Sequence, residues 1–295
     1  MGVTASDQMT ARIIPRLDIK GPNLVKGINL EGLRILGEPD FFAQLYYQQG
    51  ADELLYLDAV ASLYGRNSLT DFVKRTASVM FIPLTVGGGL RSLEDIRSVL
   101  LSGADKVALN TAAVEQPKLI KAASETFGSS TVVLSLVAKR HNDGRYTAFT
   151  NNGRDDSGRD VFEWVEEAVD LGAGEVLVTA LDRDGTGTGY DVELIRNIAQ
   201  RVPNPVIACG GAGTAADVVD VMKTTGVNAA CLASALHYPV AKMMMDDIAD
   251  LKGGEFKVIQ DSLTRTRVQG TEIGELRTLL KDAGIDVRPV RVYEA

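Results

Sequence analysis

IPLTVGGGLRSLEDI, residues 82–96, decides the fold because the chain carries its pattern twice. NPVIACGGAGTAADV, residues 204–218, lies over it at an offset of 122. Pro83 meets Pro205, Gly88-Gly89 meet Gly210-Gly211, Ser92 meets Thr214, and Asp95 meets Asp217. Each copy reads as an apolar strand, a glycine turn, a capping hydroxyl and a helix with an acidic first turn. Outward from this pair the repeat continues. GADELLYLDA (50–59) resembles GAGEVLVTAL (172–181), and GADKVALNTAAV (103–114) resembles GVNAACLASALH (226–237). IIPRLDIK (13–20) resembles VVLSLVAK (132–139), with Lys20 on Lys139 but Asp18 on Val137. The chain is two similar halves of about 120 residues.

Short apolar runs alternate with longer helical patterns. Strands are expected at Arg12–Asp18, Glu53–Asp58, Phe81–Val86, Lys106–Asn110, Val132–Val137, Glu175–Ala180, Pro205–Cys209 and Ala229–Ala233. Helices are expected at 39–49, 69–79, 92–102, 117–126, 160–171, 192–201 and 215–225. Runs that are apolar on both faces suit a buried parallel sheet. Eight strand–helix units predict an α/β fold, a (β/α)8 TIM barrel with four units per half. A doubly wound open sheet is the alternative, which the two-fold repeat disfavours. The expected organisation is one barrel domain over residues 1–295, with half-barrels at about 12–125 and 130–290 and an insertion at about 239–270 after strand eight. Within that insertion, residues 241–252 (AKMMMDDIADLK) read as a helical cap or as a surface embellishment.

Composition narrows the function classes. Net charge is −8 and 24% of residues are charged, which argues against a nucleic-acid partner, since phosphate backbones demand a basic face. Cys209 and Cys231 sit in apolar runs and read as buried thiols, without a disulfide framework or metal motif. No cofactor or metal is expected. The N-terminal residues lack a signal-peptide core and no apolar run is long enough for a membrane span, so a soluble cytoplasmic protein is expected.

In such a barrel, chemistry belongs at the C-terminal ends of the strands. Two glycine turns, at Gly88-Gly89 and Gly210-Gly211, let backbone N–H groups approach an anion at a helix N-terminus. The next strands place Asn110-Thr111 and Ser234 beside them. Two phosphate sites on opposite sides of the mouth suit a bisphosphorylated small molecule. Asp18 ends strand one, with Lys26 beyond a Gly-Pro loop. Asp184 sits with Gly185 in LDRDGTGTGYD, where it reads equally as a turn residue and as a site residue. At the other ends of the strands, Arg12, Glu53, Lys106 and Glu175 read as solvated charges or as a ring of ion pairs on the barrel axis.

RIIPRLDIK, LVKG, ADELLYLD, TVGGG, GADKVALNTAA, GAGEVLVTALDRDGTGTGYD, VIACGGAG and LHY together resemble the cyclase subunit of imidazole glycerol phosphate synthase. The resemblance covers roughly residues 12–238 and resumes in TEIGELRTLLKDAGIDVR. It implies a lyase-type cyclase of histidine biosynthesis. It further implies a glutaminase partner docked on the N-terminal face and ammonia conducted along the barrel axis to the bisphosphorylated substrate. The implied ammonia gate is Arg12, Glu53, Lys106 and Glu175, and Asp105 matches the partner interface. The implied phosphate-binding residues are Gly89, Asn110, Thr111, Gly211 and Ser234, and Asp18, Lys26, Thr179 and Asp184 match further site positions. Asp18 is the expected general acid or base. The family's second catalytic aspartate falls on Val137, which carries no proton. Arg16 stands where the family usually has cysteine, and Cys209 where it has serine. These departures leave three readings open: a cyclase, an ammonia-conducting paralogue serving a sugar amidotransferase in surface-polysaccharide synthesis, and a binding scaffold.

Overall fold

The structure is a computed structural model that describes residues 10–61, 69–248 and 266–289. Its barrel strands are Arg12–Lys20, Leu54–Asp58, Leu84–Gly87, Lys106–Leu109, Val132–Arg140, Glu175–Ala180, Val206–Cys209 and Ala229–Leu232. Each pairs in parallel with its neighbours. The first strand closes the sheet by pairing with the eighth, Arg12 opposite Ala229 and Ile14 opposite Cys231. The chain therefore forms a closed (β/α)8 barrel, not an open sheet.

Alternation along the strands separates two cores. Ile14, Leu55, Ala108, Val133, Leu177, Ile207, Cys209, Ala229 and Cys231 form the inner cluster. Ile13, Leu17, Leu134, Val176 and Ala208 point outward into the larger layer beneath the helices, where Trp164, Tyr46 and Phe42 are fully buried. A side chain of that size contributes about 1.5–3 kcal/mol on burial, so the outer layer carries most of the apolar stabilisation. The two repeated helices start alike. Ser92 accepts from Asp95 N at 3.2 Å and Asp95 Oδ2 accepts from Ser92 N at 3.0 Å. Thr214 and Asp217 make the same reciprocal pair at 3.3 and 2.8 Å. Each box satisfies backbone donors that the first turn leaves unpaired.

Two hairpins were not among the expected elements. Asn23–Ile28 and Glu31–Gly37 continue the first barrel strand, and Tyr146–Thr150 and Asp155–Asp160 continue the fifth. Lys26 lies beyond the Gly21-Pro22 turn, as expected, but on a strand. Asp18 and Val137 sit inside strands that run on to Lys20 and Arg140, because the hairpins extend the pairing: Asp18 opposite Val25, Val137 opposite Phe149. The hairpins occupy equivalent places in the two halves. A short helix, Thr111–Glu115, also follows the fourth strand.

After strand eight a helix runs Ser234–Ile248, covering the start of the expected helical segment. Residues 249–265 of the insertion lie outside the described residues. The chain is described again where it packs on the catalytic face: Arg267 N donates to Thr186 O at 2.9 Å and Gln269 N to Gly213 O at 3.0 Å.

Candidate functional site

Four charged side chains meet at the centre of the barrel mouth, all at most 3% exposed: Arg16, Asp18, Lys26 and Asp184. Arg16 and Asp18 are two residues apart on one strand, so they share its inward face. Arg16 Nε donates to Asp18 Oδ1 at 2.8 Å. Lys26 arrives from the first hairpin and donates to Asp184 Oδ1 at 2.5 Å. Longer contacts of 3.8 Å join Arg16 to Asp184 and Lys26 to Asp18. Two cations and two carboxylates balance in the dry interior. Burial opposes charge on Arg16, Lys26 and Asp184. For Lys26, Asp184 and Asp18 outweigh that penalty and hold its pKa above the ordinary value. For Asp184, Lys26 and Arg16 outweigh it and hold the carboxyl below the ordinary range. Arg16 stays protonated throughout. Asp184 reaches this centre through the turn at Gly185, whose φ is +74° and where a Cβ would stand 2.5 Å from Gly27 O. Glycine therefore lets the strand-six loop lie against the hairpin carrying Lys26.

Val137 lies across the mouth on barrel strand five, in register with Thr179, which is 1% exposed. It packs with Leu30, Phe149 and Leu181 in a separate apolar cluster. Leu30 and Phe149 come from the first and second hairpins. Leu30 holds φ +61°, an unfavourable backbone for a bulky residue, and its apolar contacts help retain it. One wall of the mouth is thus charged and the opposite wall is apolar. The valine is embedded in matching surroundings.

The two glycine turns line two clefts. Gly88, Gly89, Asn110 and Thr111 line the larger, about 140 Å³, together with Arg16, Asp58 and Val137. Gly210, Gly211 and Ser234 line the smaller, about 20 Å³, together with Lys26, Asp184, Cys209 and Cys231. Gly211 holds φ +116°, and a Cβ there would fall 2.1 Å from Gly189 O, so only glycine fits. The Ser234 hydroxyl is buried without a partner among the described residues. An unmade bond there costs about 1–3 kcal/mol, which a ligand oxygen would offset. Asn110 and Thr111 are less free than expected from the sequence. Asn110 Nδ2 donates to Phe149 O at 3.1 Å, and Thr111 Oγ1 accepts from Asn151 N at 3.0 Å. Both side chains tie the second hairpin over the larger cleft.

At the opposite end the four strand-start charges do meet. Arg12 Nη1 contacts Glu53 at 2.6 Å and Glu175 at 3.0 Å; Lys106 Nζ contacts Glu53 at 3.2 Å and Glu175 at 3.1 Å. Each cation touches both carboxylates, which makes a closed ring. Just inside it, Ile14, Leu55, Val133, Leu177, Ile207 and Cys231 line a narrow apolar space with Glu53 and Thr85. Asp105, beside the ring, accepts from Leu84 N at 2.8 Å and holds the start of strand three.

Several residues of the site escaped the sequence reading. Asn151 and Asn152 line the larger cleft beside Asp58, which the sequence places at the C-terminal end of strand two, and Leu30 walls it. The signals were the turn dipeptides Asp143-Gly144 and Asn152-Gly153 around YTAFT, which mark a hairpin. Among the described residues no group of three or more His, Cys, Asp or Glu could hold a metal ion, and no helix is long and apolar enough to cross a membrane.

The chain is thus a closed (β/α)8 barrel with paired glycine clefts at one mouth and an ion ring at the other. The sequence profile described as "Histidine biosynthesis protein" matches residues 12–242. A Legionella pneumophila protein named imidazole glycerol phosphate synthase subunit HisF is 54% identical over 202 residues, covering 68% of this chain and 95% of that one. Proteins of the same name from Streptococcus sanguinis and Lactococcus lactis subsp. lactis are 45% identical over 227 residues and 44% over 243. They cover 77% and 82% of this chain, and 90% and 93% of their own. The chain belongs to the histidine biosynthesis family of cyclase-type subunits of imidazole glycerol phosphate synthase.

Proposed function

We propose that the chain is an ammonia-using cyclase-type subunit that works with a glutaminase partner. Ammonia from the partner, docked on the N-terminal face, enters at the ring of Arg12, Glu53, Lys106 and Glu175 and rises through the apolar interior. It meets a bisphosphorylated ribulosyl aminoimidazole carboxamide ribotide whose two phosphates sit in the glycine clefts. The products are imidazole glycerol phosphate and an aminoimidazole carboxamide ribotide. The observation that carries this reading is the alignment of a closed ion ring, an apolar passage and two anion-type clefts on one axis. A neutral ammonia molecule crosses apolar space that excludes ammonium, since burying an unpaired cation costs several kcal/mol. The whole chain acts as one barrel in the cytoplasm, each half supplying one phosphate loop.

Asp18 transfers the proton in this reading, with Lys26 and Asp184 fixing the substrate beside it and Thr179 and Gly185 shaping the wall. A second reading rests on a specific observation. Val137 sits in an apolar cluster, and Asp18 is clamped by Arg16. Losing one acid–base partner lowers a rate by roughly 10²–10⁴. In that reading the barrel conducts ammonia to a sugar amidotransferase in surface-polysaccharide synthesis, and cyclase turnover is residual.

The test is formation of imidazole glycerol phosphate from the bisphosphate substrate and saturating ammonium, beside calorimetric binding of that substrate. Steady turnover supports the cyclase. Binding without turnover supports the second reading. Neither binding nor turnover sinks both.

A further inference from the structure

Cys209 and Cys231 lie far apart in sequence but directly opposite in the sheet, Cys209 on strand seven in register with Cys231 on strand eight. Both belong to the inner cluster, so both sulfurs face the barrel interior. Paired strands run about 4.8 Å apart, inside the roughly 4.4–6.8 Å between Cα atoms that a disulfide spans. In this structure both thiols are free. Both line the smaller glycine cleft together with Gly210, Gly211 and Ser234. They are 2% and 1% exposed, and that cleft is the side from which a small oxidant would approach them. Arg16 Nη1 donates to Cys209 Sγ at 3.6 Å. No step of the proposed reaction uses either sulfur.

We propose that Cys209 and Cys231 are a modification site, a dithiol on the floor of the smaller cleft that a peroxide oxidises to an intrachain disulfide. The two sulfurs are chemically unequal. The hydrogen bond from Cys231 and the Arg16 guanidinium, working against burial, pull Cys209 down to about 6. Burial, with its thiol neighbour, pushes Cys231 up. Cys209 is therefore the attacking thiolate, and a thiol poised near ambient pH is the fastest nucleophile of its kind. Its sulfur attacks one oxygen of hydrogen peroxide. The O–O bond breaks, leaving sulfenic acid on Cys209 and hydroxide, which takes up a proton. The Cys231 sulfur then attacks the Cys209 sulfur. The S–S bond forms, the S–O bond breaks, and hydroxide leaves with the Cys231 proton as water. Two thiols and one peroxide give one disulfide and two waters. Such a pair in a reducing compartment acts as a transient, reversible sensor. Its placement under the cleft makes occupancy of the cleft the control: a bound anion blocks the route. The inference stands on the thiols and the cleft, whichever acceptor takes the ammonia.

The experiment treats the folded full-length protein with hydrogen peroxide at neutral pH, quenches it, unfolds it in acid and titrates thiols with dithiodipyridine. The expected result is loss of both thiols, an intact mass lower by two hydrogens, a chain that stays monomeric on a non-reducing gel, and recovery of both thiols with dithiothreitol. In Cys231→Ala, Cys209 stops at sulfenic acid and is trapped by dimedone; in Cys209→Ser, Cys231 survives the same dose. Inorganic phosphate slows the wild-type reaction. Survival of both thiols, a disulfide joining two chains, or oxidation of Cys231 at an unchanged rate in Cys209→Ser overturns the proposal. A rate indifferent to phosphate contradicts the cleft as the route.

Discussion

Asp18 accepts a hydrogen bond from Arg16 Nε at 2.8 Å, and Arg16 also reaches Asp184 and Cys209. That contact fixes the orientation of the Asp18 carboxylate against a buried guanidinium. In the second reading of function Arg16 and Val137 act together, one holding the Asp18 carboxylate and the other standing where the resemblance implies a second aspartate. Buried quartets of this kind are weak sources of stability as wholes but strongly destabilising when broken. Asp184→Asn leaves Lys26 without its closest carboxylate, and should lower unfolding free energy by about 3–5 kcal/mol, read from a denaturant midpoint. A loss below about 1 kcal/mol, the ordinary value of an exposed pair, would show that water already screens the cluster. Both aspartates and Lys26 were legible as site residues from the motifs around them. That Arg16 would clamp Asp18 was not, because a strand pattern shows which face a residue takes but not which partner it finds there.

Among the elements, the repeated strand–glycine–helix units were the most legible, because each carries its own punctuation: apolar run, glycine, capping hydroxyl, acidic first turn. Removing one cap tests that reading. Thr214→Ala should cost about 1 kcal/mol, with Ser92→Ala costing a similar amount and neither changing the denaturant slope. A loss confined to one of the two would show that the halves are not equivalent at this point. The hairpins were less legible because their turns use Asn29-Leu30 and Asn151-Asn152, all at positive φ, a conformation few non-glycine residues adopt. Tertiary contacts hold them there: Asn29 N donates to Asp184 O, and Asn151 N to Thr111 Oγ1. The helix after strand eight is locked differently. His237 is fully buried, its Nε2 2.8 Å from Arg16 O and its Nδ1 2.7 Å from the Tyr46 hydroxyl. Nε2–H donates to the carbonyl, so Nδ1 accepts from tyrosine and the ring is neutral. Burial pulls its pKa down to about 3. Below about 6.5 the unfolded chain takes up a proton that the native state refuses. This stability is present above about pH 6.5 and is lost progressively down to about pH 3, on the order of 4 kcal/mol in all. Urea midpoints measured from pH 7 to pH 5 should fall more steeply for the wild type than for His237→Phe. Equal slopes would place a proton acceptor beside the ring.

At the scale of the whole molecule, the barrel separates two chemistries by length. The ion ring closes one end, the clefts open at the other, and an apolar interior lies between them. In the proposed function the ring faces the partner and the interior passes neutral ammonia. Duplication explains the symmetry of the scaffold: both halves bring a glycine cleft and a hairpin, and only the first brings a carboxylate, Asp18, where the second has Val137. The fold and the paired glycine turns follow from that symmetry and were readable in sequence. The break at Val137 was readable too, as one mismatch in an aligned pair. Its apolar setting among Leu30, Phe149 and Leu181 was not, because those residues come from segments whose pairing only the fold reveals. That setting would raise the pKa of a carboxylate placed there, which suits a general acid. The most direct measurement is steady-state turnover of the bisphosphate substrate with saturating ammonium by wild type, Val137→Asp, and Arg16→Cys/Val137→Asp, each checked for a cooperative unfolding transition. The account predicts a gain of roughly 10²-fold or more over wild type for Val137→Asp, and a further gain when Arg16 is also replaced. A wild type that already turns over as fast as both folded variants would contradict this account of Arg16 and Val137 while leaving the cyclase reading intact, and would mean that another group in the mouth supplies the second proton transfer.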